Sequence, residues 1–94
     1  MKVRTAVLDG GVVTVAVTGE VDLRTAPAFA DALAEAGRLA TERVEVDLSA
    51  VDFLAVSGAA ALARAAEEAV LRVHPASHAS LVVLRAAGLD HLIV

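Results

Sequence analysis

The chain has 94 residues, of which 57% are hydrophobic and only 2% aromatic, and its formal net charge is −4 at neutral pH. This apolar content is ample for a folded core and excludes intrinsic disorder, and the length predicts a single domain over residues 1–94. The acidic balance argues against nucleic acid as a partner, because a negative protein repels the phosphate backbone. The absence of cysteine excludes disulfides and thiolate metal sites.

The uncharged stretches of the chain are short. The longest cover residues 10–19, 53–63 and 73–84. Each falls below the ~18–20 apolar residues that a membrane-spanning helix requires. Lys2 and Arg4 are followed by Asp9 and a glycine pair, which is not the pattern of a signal peptide. We therefore expect a cytoplasmic protein without direct membrane insertion.

The N-terminal segment predicts a β-hairpin. Val3–Leu8 is typical of a strand, and Asp9-Gly10-Gly11 is a turn signal because glycine tolerates positive φ. Alternating valines from Val13 to Val17 then show the period of two expected of a half-buried strand. Gly19 is expected to end this strand, and Glu20–Leu23 to form a loop.

A helix and a third strand are predicted next. Thr25 is placed to cap the helix, and Pro27 falls in the first turn, where its missing N–H is not needed. Apolar residues recur at helical spacing from Phe29, so the helix is expected to end near Ala40 or Thr41. Within Val44–Leu48, apolar residues alternate with the acidic residues Glu45 and Asp47, and this alternation predicts the third strand. Ser49–Val56 is expected to be a loop.

The C-terminal half predicts two more helices and two short strands. Ser57 is expected to be the N-cap of a helix from Ala59 to about Val70. The remaining elements are a strand at Leu71–Val73, a break at Pro75–Ser77, a helix at Ala79–Ala87 that stops at Gly88, and a strand at Leu92–Val94. This order predicts an α/β fold: a mixed β-sheet, made of the N-terminal hairpin plus parallel strands, with helices packed mainly on one face.

No motif in the sequence points to catalysis. A Gly-rich phosphate cradle, a pair of catalytic carboxylates and a nucleophile elbow are all missing from it. His74 and His78 are four residues apart, but Pro75 between them keeps them from sharing a helix face as metal ligands would. His91 stands apart from both. We expect no enzyme, no metal site and no cofactor.

Polar residues near the strand ends allow two interpretations. Glu20 and Asp22 follow a strand, and they form either a solvated turn in which Asp22 accepts backbone N–H bonds or the acidic rim of a binding surface. Asp47 is expected to accept N–H bonds from the residues that follow it. A helix start at Ser57 is also a place where a phosphate would be electrostatically favoured.

Three segments together resemble STAS domains, the sulfate transporter and anti-sigma factor antagonist family. The loop and helix start at Gly19–Pro27, the strand and following loop at Val44–Leu54, and the last helix turn at Ala86–Leu92 occur in the family's order. The resemblance covers nearly the whole chain, although the region after the second helix is shorter than is usual in the family. It implies a STAS-like fold over residues 1–94.

The chain most resembles stand-alone anti-sigma factor antagonists, which bind an anti-sigma factor, often a serine kinase, and so free a sigma factor. In that family the kinase phosphorylates a serine in an Asp-Ser-Ser-Gly motif at the start of the second helix, which blocks binding. The corresponding residues here are Ala55-Val56-Ser57-Gly58. Val56, which has no hydroxyl, stands at the phospho-acceptor position. Ser57 is the alternative acceptor.

The resemblance implies a non-catalytic protein-interaction module that binds an anti-sigma factor of the serine-kinase type without the usual phosphorylation switch. Its implied partner-binding residues are Glu20, Asp22, Thr25, Leu54, Val56, Ser57 and Gly58. Glu20 and Asp22 would supply charge, and Leu54 and Val56 apolar contact. Two alternatives stay open: an accessory subunit of an ABC-type membrane transport system that docks on its ATPase, and a STAS domain that binds a nucleotide or lipid. The scarcity of aromatic residues counts against a ligand pocket.

Overall fold

The computed structural model describes residues 1–74 and 77–94 of the chain. Its elements are β1 (Lys2–Val7), β2 (Val12–Val21), α1 (Ala26–Leu39), β3 (Arg43–Leu54), α2 (Val56–Glu68), β4 (Leu71–His74) and α3 (His78–Ala86). Short 3-10 turns occupy Asp9–Gly11 and Asp90–Leu92. The predicted break at Pro75–Ser77 includes Pro75 and Ala76, which lie outside the described residues.

The strands form one mixed sheet in the order β1-β2-β3-β4. Strands β1 and β2 are antiparallel, with Val3 opposite Val17. Strands β2, β3 and β4 are parallel, with Val15 opposite Val46 and Val46 opposite Val73. The predicted α/β fold, in which a hairpin continues into parallel strands, is confirmed.

The two faces of the sheet differ in what covers them. Alternate side chains of the central strands are fully buried: Val13, Val15, Val17, Val44, Val46 and Leu48. They share one core with residues of the helices such as Phe29, Leu33, Leu62 and Leu84. The opposite face, here called the open sheet face, carries Arg4, Thr14, Ala16, Glu45, Asp47, Arg72 and His74. The prediction that helices pack mainly on one face is confirmed.

Strand β3 is longer than the sequence predicted. The loop expected over Ser49–Val56 was wrong, because pairing with β2 continues to Leu54. The ladder shifts register twice, and each shift inserts one extra residue into β3. Beyond Leu48 the buried positions, Val51 and Leu54, are therefore spaced by three residues instead of two. This change of spacing hides the strand from a search for alternation.

Strand β2 also continues past its predicted end. Gly19 does not terminate it, and Glu20 and Val21 still pair with β3. Gly19 has a φ of 92° and adjoins the second register shift. Glycine adopts this left-handed conformation at little cost, so here it allows the strand to bend and continue.

The helix ends are close to their predicted places, but the C-terminal strand is not. Helix α1 ends at Leu39, and Gly88, with a φ of 75°, follows α3 as expected. In place of a strand over Leu92–Val94, a 3-10 turn leads to a single parallel bridge between Ile93 and Val73. No helix in the described part of the chain is both long and apolar enough to cross a bilayer.

Candidate functional site

The carboxyl ends of β2 and β3 meet at one edge of the sheet, and each strand leads into a helix there. Val21 and Leu54 are register partners, and the Ala55 N–H donates to the Val21 carbonyl at 2.8 Å. This pairing places the starts of α1 and α2 at the same edge. Five of the exposed residues there form what we call the carboxyl-edge surface: Glu20, Leu23, Asp52, Phe53 and Val56.

Asp22 organises the turn between β2 and α1. Its Oδ1 accepts from the backbone N–H groups of Arg24 and Thr25, both at 3.0 Å, and from the Thr25 hydroxyl at 3.1 Å. The Asp22 carbonyl then accepts from the Ala26 N–H at 2.8 Å. The turn interpretation of Asp22 is thus confirmed, and the same bonds hold Leu23 out from the edge.

Thr25 precedes α1 as predicted, but its side chain does not cap the helix. Its hydroxyl accepts from the Asp22 N–H at 2.9 Å, on the side of the turn away from the helix. The capping part of the prediction was wrong, because the Asp22 turn uses this oxygen. Thr25 therefore stabilises the loop that carries Leu23.

The hydrogen bond from the Thr25 N–H, with those from the Thr25 hydroxyl and the Arg24 N–H, lowers the pKa of Asp22 below its ordinary value of 3.8. A carboxyl whose pKa falls on folding stabilises the fold above its unfolded pKa, and this contribution is lost as the pH drops through the folded pKa. We predict that Asp22→Ala is less stable than the wild type at about pH 7 and that the difference shrinks as the pH falls below the ordinary carboxyl pKa of 3.8. Urea unfolding across this range measures it. A stability difference between the two proteins that does not change with pH would contradict a role for the ionised Asp22 carboxyl.

Three apolar side chains stand in solvent at the carboxyl-edge surface. Leu23 is 78% exposed, Val56 76% and Phe53 49%. Phe53 lies opposite Glu20 in the strand register, and Asp52 precedes it. Exposed apolar side chains grouped among polar ones are typical of a protein-contact surface.

Leu54 and Gly58, both predicted to contact a partner, lie inside the domain. Leu54 is 1% exposed, so the prediction that it offers apolar contact was wrong. A Cβ at Gly58 would lie 2.6 Å from Leu54 Cδ1 and 2.8 Å from Val21 Cγ1. Gly58 therefore lets the first turn of α2 pack directly against the ends of β2 and β3. This contact determines where the start of α2 lies relative to the two strands.

Ser57 is not the N-cap of α2. The cap is Ala55, with φ −76° and ψ 161°, and the helix starts at Val56. The Ser57 Oγ is buried and has no hydrogen-bond partner among the residues that the structure describes. The capping prediction was wrong because β3 extends to Leu54 and moves the helix start forward. A buried hydroxyl also counts against Ser57 as the alternative phospho-acceptor.

Ser57→Ala is expected to raise the free energy of unfolding by about 1 kcal/mol, because the variant removes a buried hydroxyl that lacks a partner and improves helix propensity. Chemical denaturation of the two proteins measures the difference. A loss of about 1 kcal/mol would instead indicate a capping role for the serine.

Asp47 and Glu45, which lie outside the edge, have local hydrogen-bond partners. The Asp47 Oδ1 accepts from the Ser49 N–H at 2.9 Å, which confirms its predicted role. On the open sheet face Glu45 bonds His74 and lies 3.4 Å from an Arg43 nitrogen. The His74 hydrogen bond, followed by the Arg43 charge, lowers the pKa of Glu45. Within residues 1–74 and 77–94, no three His, Asp or Glu side chains converge as metal ligands would.

A groove of about 520 Å³ runs between α1 and α2. Its lining includes small residues, among them Ala30, Ala34, Gly37, Ala61 and Ala65, and charged ones such as Arg38 and Glu68. Nothing in this lining resembles the aromatic contacts typical of nucleotide pockets. The groove lies along the helices and does not include the carboxyl-edge residues.

The elements above define a two-layer α/β domain with helices over one face of a mixed sheet. A family model described as "Mlab, STAS domain" matches residues 5–94. The chain belongs to the STAS domain family. A comparison with curated protein sequences finds no significant match.

Two solved structures with the same fold are anti-sigma factor antagonists. One from Mycobacterium paratuberculosis is 33% identical, with a TM-score of 0.81 over 98% of this chain and 83% of that one. The antagonist SpoIIAA, in its unphosphorylated form, is 16% identical, with a TM-score of 0.80 over 99% of this chain and 86% of that one. The second likeness shows the fold, and the first adds similarity in sequence.

Sequence reasoning did not single out Leu23, Asp52 and Phe53 as partner-binding residues. Leu23 and Phe53 are apolar residues directly preceded by a carboxylate, at Asp22 and Asp52. That repeated Asp-apolar pair was the available signal. It was hidden because Phe53 was assigned to a loop that is in fact part of β3.

Proposed function

We propose that this protein is a non-catalytic, cytoplasmic interaction module that binds an anti-sigma factor of the serine-kinase type through the carboxyl-edge surface and so regulates sigma-factor-dependent transcription. The observation that carries the proposal is the exposed apolar group Leu23, Phe53 and Val56, placed among carboxylates at the strand ends. The likeness to an anti-sigma factor antagonist at 33% identity supports the partner class.

The proposed binding is independent of phosphorylation at the position that the family's motif uses. Val56, the first residue of α2, has no hydroxyl and is 76% exposed. The neighbouring hydroxyl of Ser57 is buried. A partner therefore meets an apolar side chain at the point where a phosphoserine would introduce charge.

The same surface also suits a second partner class, the ATPase of a membrane transport system. An apolar residue at position 56 favours this candidate too, since docking on such an ATPase needs no phosphorylation switch. The two candidates share the surface and differ only in what binds it, so one set of surface variants tests both.

The experiment is a titration of the purified protein with the anti-sigma kinases and the transport ATPases encoded near its gene. We expect saturable binding to an anti-sigma kinase with ADP or ATP, and an unchanged intact mass after prolonged incubation with kinase and ATP. Leu23→Ser is expected to weaken the complex at least about 10-fold, as loss of an apolar anchor does.

Val82→Ser is the matched control, because Val82 is also an exposed apolar residue, at 55%, but lies on α3. Its affinity is expected to equal that of the wild type. Binding to an ATPase alone would transfer the proposal to the transport class. Equal loss in both variants, or a single phosphate on the intact mass, would contradict the proposal.

A further inference from the structure

On the open sheet face, a cation on β1 and a carboxylate on β3 lie in the same row of the sheet. Arg4 lies on β1, Ala16 on β2 and Asp47 on β3, and the register makes them one row across the sheet. Arg4 and Asp47 are two strand spacings apart, roughly 10 Å, which is too far for an ion pair within one copy. Among the residues that the structure describes, neither forms a salt bridge with another charged side chain.

The strand between these charges has small side chains on the same face. Thr14 and Ala16 are half-buried and stand between the cation of β1 and the carboxylate of β3. Another sheet can therefore approach β2 closely, while the longer side chains on either side reach across. Aligned packing of two sheets at about 10 Å has this geometry.

We infer that the open sheet face pairs with the open sheet face of a second copy about a two-fold axis parallel to β2. Rotation about that axis preserves position along the strands and exchanges the two sides of β2. Arg4 of one copy then lies over Asp47 of the other, and the reciprocal pair forms by symmetry. The small β2 residues of the two copies meet on the axis.

Electrostatic interactions favour this two-fold axis over one placed between β2 and β3. An axis between β2 and β3 would place β1 of one copy over β4 of the other, with Arg4 over His74 of its own row, next to Arg72, and away from Asp47. Carboxylates in the middle of the face also disfavour a nucleic acid or another polyanion as the occupant, since Glu45 and Asp47 would repel it. Arg4 on β1 and Asp47 on β3 are complementary across β2, whereas Arg72 and His74 on β4 lie outside the three strands that overlap about this axis.

The predicted dimer is weak and salt-sensitive. Three strands of about five residues cover a footprint of roughly 250 Å², against about 800 Å² per partner in stable specific complexes. The open sheet face shares no residue with the carboxyl-edge surface, so this inference is independent of the proposed function.

Sedimentation equilibrium tests it. The weight-average mass is expected to rise above the 9.6 kDa of one chain as the concentration goes from about 20 μM to about 1 mM at low salt, and to fall back in about 0.5 M salt. Arg4→Glu and Asp47→Lys should each abolish the rise, since each places like charges opposite one another. An equimolar mixture of the two variants restores both ion pairs and should recover association.

Arg38→Glu is the control, because it makes the same charge change at an exposed site on α1 and should associate like the wild type. Thermal unfolding checks that each variant is folded. Asp47→Asn replaces Asp47→Lys if the lysine variant unfolds, because it keeps an oxygen acceptor for the Ser49 N–H; it should weaken association by itself, and the mixture is then not used. A wild type that stays at the mass of one chain throughout, a mixture that does not associate, or an Arg4→Glu variant that does would overturn the inference.

Discussion

Gly58→Ala is expected to lower the free energy of unfolding by about 2 kcal/mol, although alanine normally stabilises a helix interior relative to glycine. The new Cβ would lie 2.6 Å from Leu54 Cδ1 and 2.8 Å from Val21 Cγ1. Neither neighbour can move aside, because Val21 and Leu54 are 0% and 1% exposed within a packed core. The first turn of α2 must therefore move away from the sheet, and Val56 moves with it.

Gly37→Ala provides the matched control for this prediction. Gly37 is also a helical glycine, but a Cβ there would meet only the Ala69 Cβ, at an ordinary 3.5 Å. Its replacement is expected to raise the free energy of unfolding by about 0.5–1 kcal/mol through helix propensity alone. Chemical denaturation tests whether the free energy of unfolding falls in Gly58→Ala and rises in Gly37→Ala. A stabilised Gly58→Ala would show that α2 does not pack against the strand ends as described.

Val56→Asp is expected to weaken partner binding at least about 30-fold while leaving the fold intact, because it buries an unpaired carboxylate in the contact. The same aspartate should stabilise the free protein by about 0.3–1 kcal/mol, since a negative charge in the first turn of a helix favours the macrodipole. The opposite signs for binding and stability make the prediction specific to an interface. Titration of the partner and thermal unfolding of the free protein measure the two effects.

Val82→Asp is the control for the binding result. It introduces the same carboxylate at an exposed valine of α3, and its affinity for the partner should match that of the wild type. If Val56→Asp binds as tightly as the wild type, the start of α2 lies outside the interface. If both variants lose affinity equally, the effect is one of net charge alone.

Together these variants separate two roles at the start of α2. Gly58 faces the strand ends and fixes where the helix begins, whereas Val56 faces solvent and is available to a partner. A change at Gly58 is therefore expected to reduce both stability and binding, whereas a change at Val56 reduces binding alone. The hydroxyl of Ser57, between them, is buried.

The regular elements were predictable because their signals are local. Valines at every second position of β2, and apolar residues at helical spacing in α1, depend only on the backbone period. The STAS motifs likewise lie in short segments of the sequence. The element order, the hairpin and the one-sided packing followed from these local signals and from the handedness of parallel crossovers.

The candidate site was predicted less completely, because its residues depend on how two strands pair. Two inserted residues in β3 break the alternation, so the sequence alone placed Leu54 in a loop and exposed it. In the fold Leu54 is buried and Phe53 beside it is half-exposed. Because β3 was predicted to end too early, the cap of α2 was predicted at Ser57, whereas the observed cap is Ala55.

The amino-acid sequence was sufficient to specify a mixed α/β fold of the STAS family and to place the apolar residue Val56 close to the start of the second helix. Tertiary structure alone decided which of the edge residues face solvent, that the Ser57 hydroxyl is buried, and that Arg4, Ala16 and Asp47 share a row of the sheet. The physical reason is that exposure and cross-strand neighbours depend on register between segments distant in the chain, and a bulge changes that register without leaving a periodic mark in either strand.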